Sequence, residues 1–179
     1  MIFKSGQTTD YQFEIFKKFS SHDAFPEAEK WLSRLCSISD VIQAEITGDL
    51  RRGKSTVDSI EIAAVTQNAE SIITIILGLE EYLEVEEASL DAIQLLLNSG
   101  IQLTIWCSKP TQFCSLMQYT TGSPAHNELL KARTESINFS YQSGTLQKDG
   151  RLVDFETESN LYNALGLSLI PPELREGLD

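Results

Sequence analysis

The sequence predicts an α+β fold: a sheet of about five strands packed by helices, followed by a smaller unit of helices and hairpin. Three observations carry this expectation. Apolar and polar residues alternate at period two over VIQAEIT (41–47) and return as strand-like runs at 60–65 and 82–85. The runs AIQLLL and IQLTIWC flank Asn98-Ser99-Gly100, the composition of a tight hairpin turn. Helical spacing of apolar residues appears before, between and after these strands.

In chain order, Phe13, Phe16 and Phe19 beside Lys17 and Lys18 suit a short amphipathic arm over residues 1–19. Ser21 or Asp23 then caps a helix through PEAEKWLSRLCSI, with Pro26 in its first turn and Ala28, Trp31, Leu32 and Leu35 sharing a face. After the strand at 41–47, the polar, glycine-punctuated DLRRGKSTVD reads as a basic loop leading to a second strand, Ile60 to Val65. Asn68 caps a helix from Ala69 to about Leu79, and strand signals return at Tyr82. Beyond Lys109-Pro110 the texture becomes helical, with a break at Thr121-Gly122-Ser123 where Ser123 caps and Pro124 opens the next helix. A hairpin turned at Lys148-Asp149-Gly150 and a helix from Glu158 ended by Gly166 complete the pattern.

Composition narrows the function classes. The 179 residues carry 14 basic and 26 acidic side chains, a net charge of −12. Between Lys54 and Lys109 there is no basic residue, against nine acidic ones, so a binder that works by neutralising phosphates is disfavoured and duplex DNA binding should be weak or absent. The acidic run EEYLEVEE reads as a solvated strand edge, or as a docking surface for a basic partner. No apolar run approaches the length of a bilayer span and the N-terminus lacks a secretory pattern, so a cytoplasmic protein without membrane association is expected. Cys36, Cys107 and Cys114 form no disulfide framework, and with only His22 and His126 beside them they make a poor zinc set; buried free thiols are expected.

The stretch TGDLRRGKSTVDSIEI (47–62) resembles the palm motif of family X DNA polymerases, the polymerase-beta-like nucleotidyltransferases, which commonly reads G-S-x-R-R-x-x-x-T-x-G-D-x-D. YTTGSPAHNELLK (119–131) resembles that family's thumb segment Y-F-T-G-S-x-x-H-N-x-x-L-R, and ETESNLYNALGLSLIPPELREG resembles the end of the bacterial members' polymerase core. The resemblance implies a mixed-sheet palm over 20–108 and a small α+β thumb over 109–179, after the arm at 1–19. It also implies that the lyase-like and fingers helices, and the phosphoesterase domain of bacterial members, are missing.

Family members hold two Mg²⁺ ions with three aspartates. Aligned through Arg51, Arg52 and Thr56, those aspartates fall on Ser59, Glu61 and Thr104, so one carboxylate of three remains and Glu61 is the single residual metal ligand. Asp58, at the motif's glycine, should point to the opposite face if the strand has begun there. The resemblance further places Gly48, Asp49, Arg51, Arg52, Tyr119, Gly122 and Asn127 around the nucleotide; Asp49 replaces the motif's serine and repels a triphosphate. Arg51 and Arg52 either retain phosphate contacts or pair with Asp49, Asp58 or Glu61. Tyr119 and His126 suit packing as well as binding. The expectation is a catalytically degenerate palm and thumb acting as a non-catalytic binding or scaffold module, through an unknown protein partner or a second copy of the chain, with no cofactor. The alternatives are a minimal polymerase using Mg²⁺ with residual activity, and a nucleotide or single-strand binder without chemistry. Alternation puts Trp106 near the former cleft, to be covered by the N-terminal segment or a second copy.

Overall fold

The computed structural model describes residues 18–142 and 144–177. Two residues, β1 (Phe19–Ser20), lead into α1 (Ser21–Cys36). Phe19 was expected at the end of a helical arm; it instead pairs as a strand with Val57 of β3 (Thr56–Val57). Phe13 and Phe16 lie outside the described residues. Helix α1 starts earlier than expected because the Ser20 hydroxyl accepts from the His22 N–H, and Pro26 therefore sits inside the helix and not in its first turn.

The central sheet contains β2 (Val41–Ile46), β4 (Ser59–Thr66), β5 (Tyr82–Ala88), β6 (Ala92–Leu97) and β7 (Gln102–Ser108), in the order β2-β4-β7-β6-β5. Only β4 and β7 run parallel; the other neighbours are antiparallel. Between β2 and β4 the expected basic loop contains one helical turn, α2 (Gly48–Arg51), entered through Gly48 at φ +62°. Helix α3 (Ala69–Leu77), capped by Asn68 on the Ser71 N–H, connects β4 to β5.

Alternation along β4 and β7 sorts the sheet into two faces. Ile60, Ile62, Leu103 and Ile105, together with Ile93, Leu95 and Leu97 of β6, are fully buried with Trp31 and Leu35 of α1 and Ile72 and Ile76 of α3. Each such side chain contributes roughly 1.5–3 kcal/mol by leaving water. The other face carries Ser59, Glu61 and Ala63 opposite Gln102, Thr104 and Trp106.

A 3₁₀ turn at Pro110–Gln112 leads to α4 (Phe113–Thr121) and, after Gly122, to α5 (Pro124–Ser136), capped by Ser123 on the His126 N–H. The tail is richer in strands than one hairpin: β8 (Phe139–Gln142), β9 (Thr145–Lys148) and β10 (Arg151–Leu152) form a three-stranded antiparallel sheet. It is closed by α6 (Glu158–Ala164), and Leu130, Phe139, Tyr141, Leu146, Leu161, Tyr162 and Leu165 make a second core. Among the described residues no helix is long and apolar enough to cross a membrane. Cys107 is buried, which pushes its thiol up to about 11. Cys36, expected to be buried, is exposed, because it lies off the buried stripe Ala24, Ala28, Trp31 and Leu35 of α1.

Candidate functional site

A cleft of about 480 Å³ runs between the second sheet face and the α4–α5 junction. Asp49, Arg52, Asp58, Ser59, Glu61 and Trp106 line one wall, and Tyr119, Gly122 and Asn127 stand on the other. The parallel register sets Glu61 directly beside Thr104, and Ser59 precedes Glu61 by one step on the same face. Thr104 is buried at 5% exposure, so a side chain there meets packing and not solvent. Asp58 does not point away as expected. Strand β4 begins only at Ser59, so strand alternation does not govern Asp58; it lines the same cleft and pairs with Lys18 at 3.5 Å.

The Glu61 carboxylate lies between α2 and β7. Trp106 Nε1 donates to Glu61 Oε2 at 3.0 Å, and a Cβ on Gly48 would stand 2.8 Å from Glu61 Oε1. A larger residue at position 48 would displace the carboxylate from that spot. Burial pushes the Glu61 carboxyl up and the Asp49 charge adds to this, while the Trp106 N–H and the Arg52 charge oppose them; the net direction is upward. Half-buried Trp106 packs with Phe113, Leu116 and Met117 of α4, which crosses the sheet face at Ala63; the N-terminal segment expected over it lies, up to residue 17, outside the described residues.

The two arginines are the most heavily bonded groups of the site. Arg52 donates to the Thr121 carbonyl at 2.6 Å and to the Asp49 carboxylate, and its Nε faces Glu176 Oε1 at 3.5 Å. Arg51 donates to Thr121 Oγ1 at 2.6 Å and grips Glu158 with both terminal nitrogens, at 3.2 and 2.6 Å. Of the partners weighed from sequence, Asp49 pairs with Arg52; Asp58 and Glu61 pair with neither arginine. The missed partners, Glu158 and Glu176, are remote in sequence and reach the pair only through the tertiary fold. Arg175 was missed as well: it is fully buried, donates to Glu158 Oε1 at 2.8 Å and to the Ile170 carbonyl at 2.9 Å, and lies over the Tyr162 ring. Lys54 completes the set against Glu176 at 2.7 Å. The LREG run at the chain's end was the one available signal, since it places Arg175 and Glu176 side by side.

On the opposite wall the side chains are tied to their own neighbours. Asn127 donates to the Tyr119 carbonyl at 2.7 Å and accepts from Gln118 at 3.2 Å. Gly122 leaves no room for a larger residue, because a Cβ there would stand 2.8 Å from Asn127 Oδ1. Tyr119 stacks edge-on against Tyr141, and buried His126 meets the Tyr162 hydroxyl at 2.7 Å. Asp49, Asp58 and Glu61 line one cleft but are not gathered into a metal-ligand group. Ser59 and Thr104 offer neutral hydroxyls, Glu61 is hydrogen-bonded and desolvated, and among the described residues no three of His, Cys, Asp and Glu converge on one point.

Residues 116–176 match the DNA polymerase beta thumb family. Over 156 residues the chain is 28% identical to the DNA polymerase/3'-5' exonuclease PolX of Bacillus subtilis (strain 168). That match covers 84% of this chain and 26% of the relative, so the chain spans about a quarter of the protein it resembles.

Proposed function

From a chain that is family X DNA polymerase-like, we propose a palm and thumb without nucleotidyl transfer, working as a binding or scaffold module through protein contacts. The observation that carries this reading is the state of Glu61: the one carboxylate at the three aligned positions is held by Trp106 against Gly48, where it is poorly placed to share a metal ion. Two further features agree with it. The arginines that would meet a triphosphate are already neutralised by Asp49, Glu158 and Glu176. The sheet face that would carry nucleic acid has Glu84 and Glu87 in register with Leu96 and Gln94, and no lysine or arginine from residue 55 to 108.

The test is primer extension and terminal transfer with Mg²⁺ or Mn²⁺, in parallel with anisotropy on duplex DNA at ~0.15 M salt. No extension is expected, and duplex affinity no tighter than the weak non-specific range of about 10⁻⁴ M. Template-dependent extension abolished by Glu61→Ala would refute the reading in favour of a minimal polymerase. A rise in melting temperature with a deoxynucleoside triphosphate, without chemistry, would favour a nucleotide binder instead.

A further inference from the structure

Strand β5 closes one side of the central sheet, and its outer edge has no strand partner among the described residues. Every residue from Leu83 to Ala88 is exposed, although the strand belongs to the same sheet as the buried β6. Its apolar members are unusually bare, with Leu83 at 64% and Leu90, in the turn that follows, at 57%. An unpaired edge with bare apolar side chains can accept another strand, and proteins commonly guard such edges with charge and bulges. Both guards are present: the β5–β6 register shifts between Tyr82 and Glu84 and again between Val85 and Glu87, and the charge is wholly negative.

That sign selects the occupant. Glu81, at the strand's entrance, is neutralised by Lys30 and Arg34 of α1. Glu84 and Glu87 have no cationic partner among the described residues, and Glu86 only accepts from Gln102. A second copy adding along this edge in antiparallel fashion, centred on Val85 and Glu86, would bring Glu84 of each copy against Glu86 or Glu87 of the other, and like charges directly across strands are destabilising. A strand bearing lysine or arginine would meet opposite charge at the same positions while covering Leu83 and Val85.

We propose that the β5 edge is a docking site for an extended, basic segment of a partner protein, which joins the sheet as a sixth strand. The proposal rests on the reading of the chain as a protein-binding module and names where and what it binds. Main-chain hydrogen bonds supply the affinity in such strand addition, and side chains on alternate positions supply the choice of partner.

The probe is a fluorescein-labelled nine-residue peptide of alternating valine and lysine, followed by anisotropy on the full chain. The comparisons are a valine–glutamate peptide of the same length and the lysine peptide N-methylated at alternate residues. The lysine peptide is expected to bind at least about tenfold more tightly than either. N-methylation preserves the charge and removes backbone donors, so an unchanged affinity would reduce the contact to bulk electrostatics and overturn the proposal. Glu84→Lys with Glu87→Lys, both on exposed positions, should weaken the lysine peptide by at least about tenfold with an unaltered circular dichroism spectrum. Binding unaffected by that double variant would place the site elsewhere and also overturn the proposal, as would a dimer in sedimentation that Val85→Pro dissolves. Failure here with no primer extension leaves the module reading standing and removes this site alone; primer extension removes the reading itself.

Discussion

Replacing Glu158 by alanine probes the joint between the two units most directly. Its carboxylate, 15% exposed, accepts from Arg51 twice and from Arg175, whose side chain is at 0% exposure. Removing it strands a buried guanidinium. Breaking a buried pair in this way costs about 3–5 kcal/mol, and because Arg51 stays a quarter exposed and can rehydrate, the lower end applies, roughly 3 kcal/mol. For a chain of this size each kcal/mol moves the melting temperature by about 2–4 °C, so a fall of roughly 6–12 °C is expected by far-UV circular dichroism. Acidification gives a second signature. Burial alone would push the Glu158 carboxyl up, but hydrogen bonds from Arg51 and Arg175 and their charges outweigh it, and the net direction is downward. A depressed carboxyl stabilises above its unfolded value and loses that contribution as pH falls through the folded one, so the gap between parent and variant should close in acid. If the cost is an orphaned charge, Arg175→Met added to Glu158→Ala should restore part of the loss. A single variant within about 1 kcal/mol of the parent, below the surface-pair limit, would refute the reasoning.

Gly48→Ala should cost about 2–3 kcal/mol in urea unfolding, since it combines a positive φ with a Cβ 2.8 Å from Glu61 Oε1; a loss under about 0.5 kcal/mol would mean that the carboxylate does not lie there. Glu61→Gln should stabilise the fold at pH 8, with the gain shrinking as pH falls toward the ordinary carboxyl range. The sign follows from the raised carboxyl: the folded state holds its proton more tightly, so parental stability falls as pH rises from the unfolded value through the raised folded one. A variant less stable than the parent at pH 8, in melting curves, would show that the charge is favourably solvated.

Local pattern determined much of this protein. Alternation and turn chemistry located β2, β4 and the β6–β7 hairpin, and the Ser123-Pro124 signal marked the start of α5, because side-chain period and cap preference are properties of a few neighbouring residues. The strand positions of Glu61 and Thr104 were likewise legible, and the register of β4 with β7 sets the two side by side. Other features could not be read that way. The hydroxyl of Ser20 moved the start of α1 upstream of Pro26, and β1 formed because Val57, almost forty residues away, offered it an edge. Whether Arg51 and Arg52 face a ligand or a carboxylate depends on Glu158 and Glu176, more than a hundred residues further along. Ion pairs and covering helices are contacts between distant segments, and a charge carries no local periodicity to announce its partner. Only the tertiary structure could decide that α4 packs on Trp106, that Trp106 holds Glu61, and that Glu158 and Glu176 occupy Arg51 and Arg52.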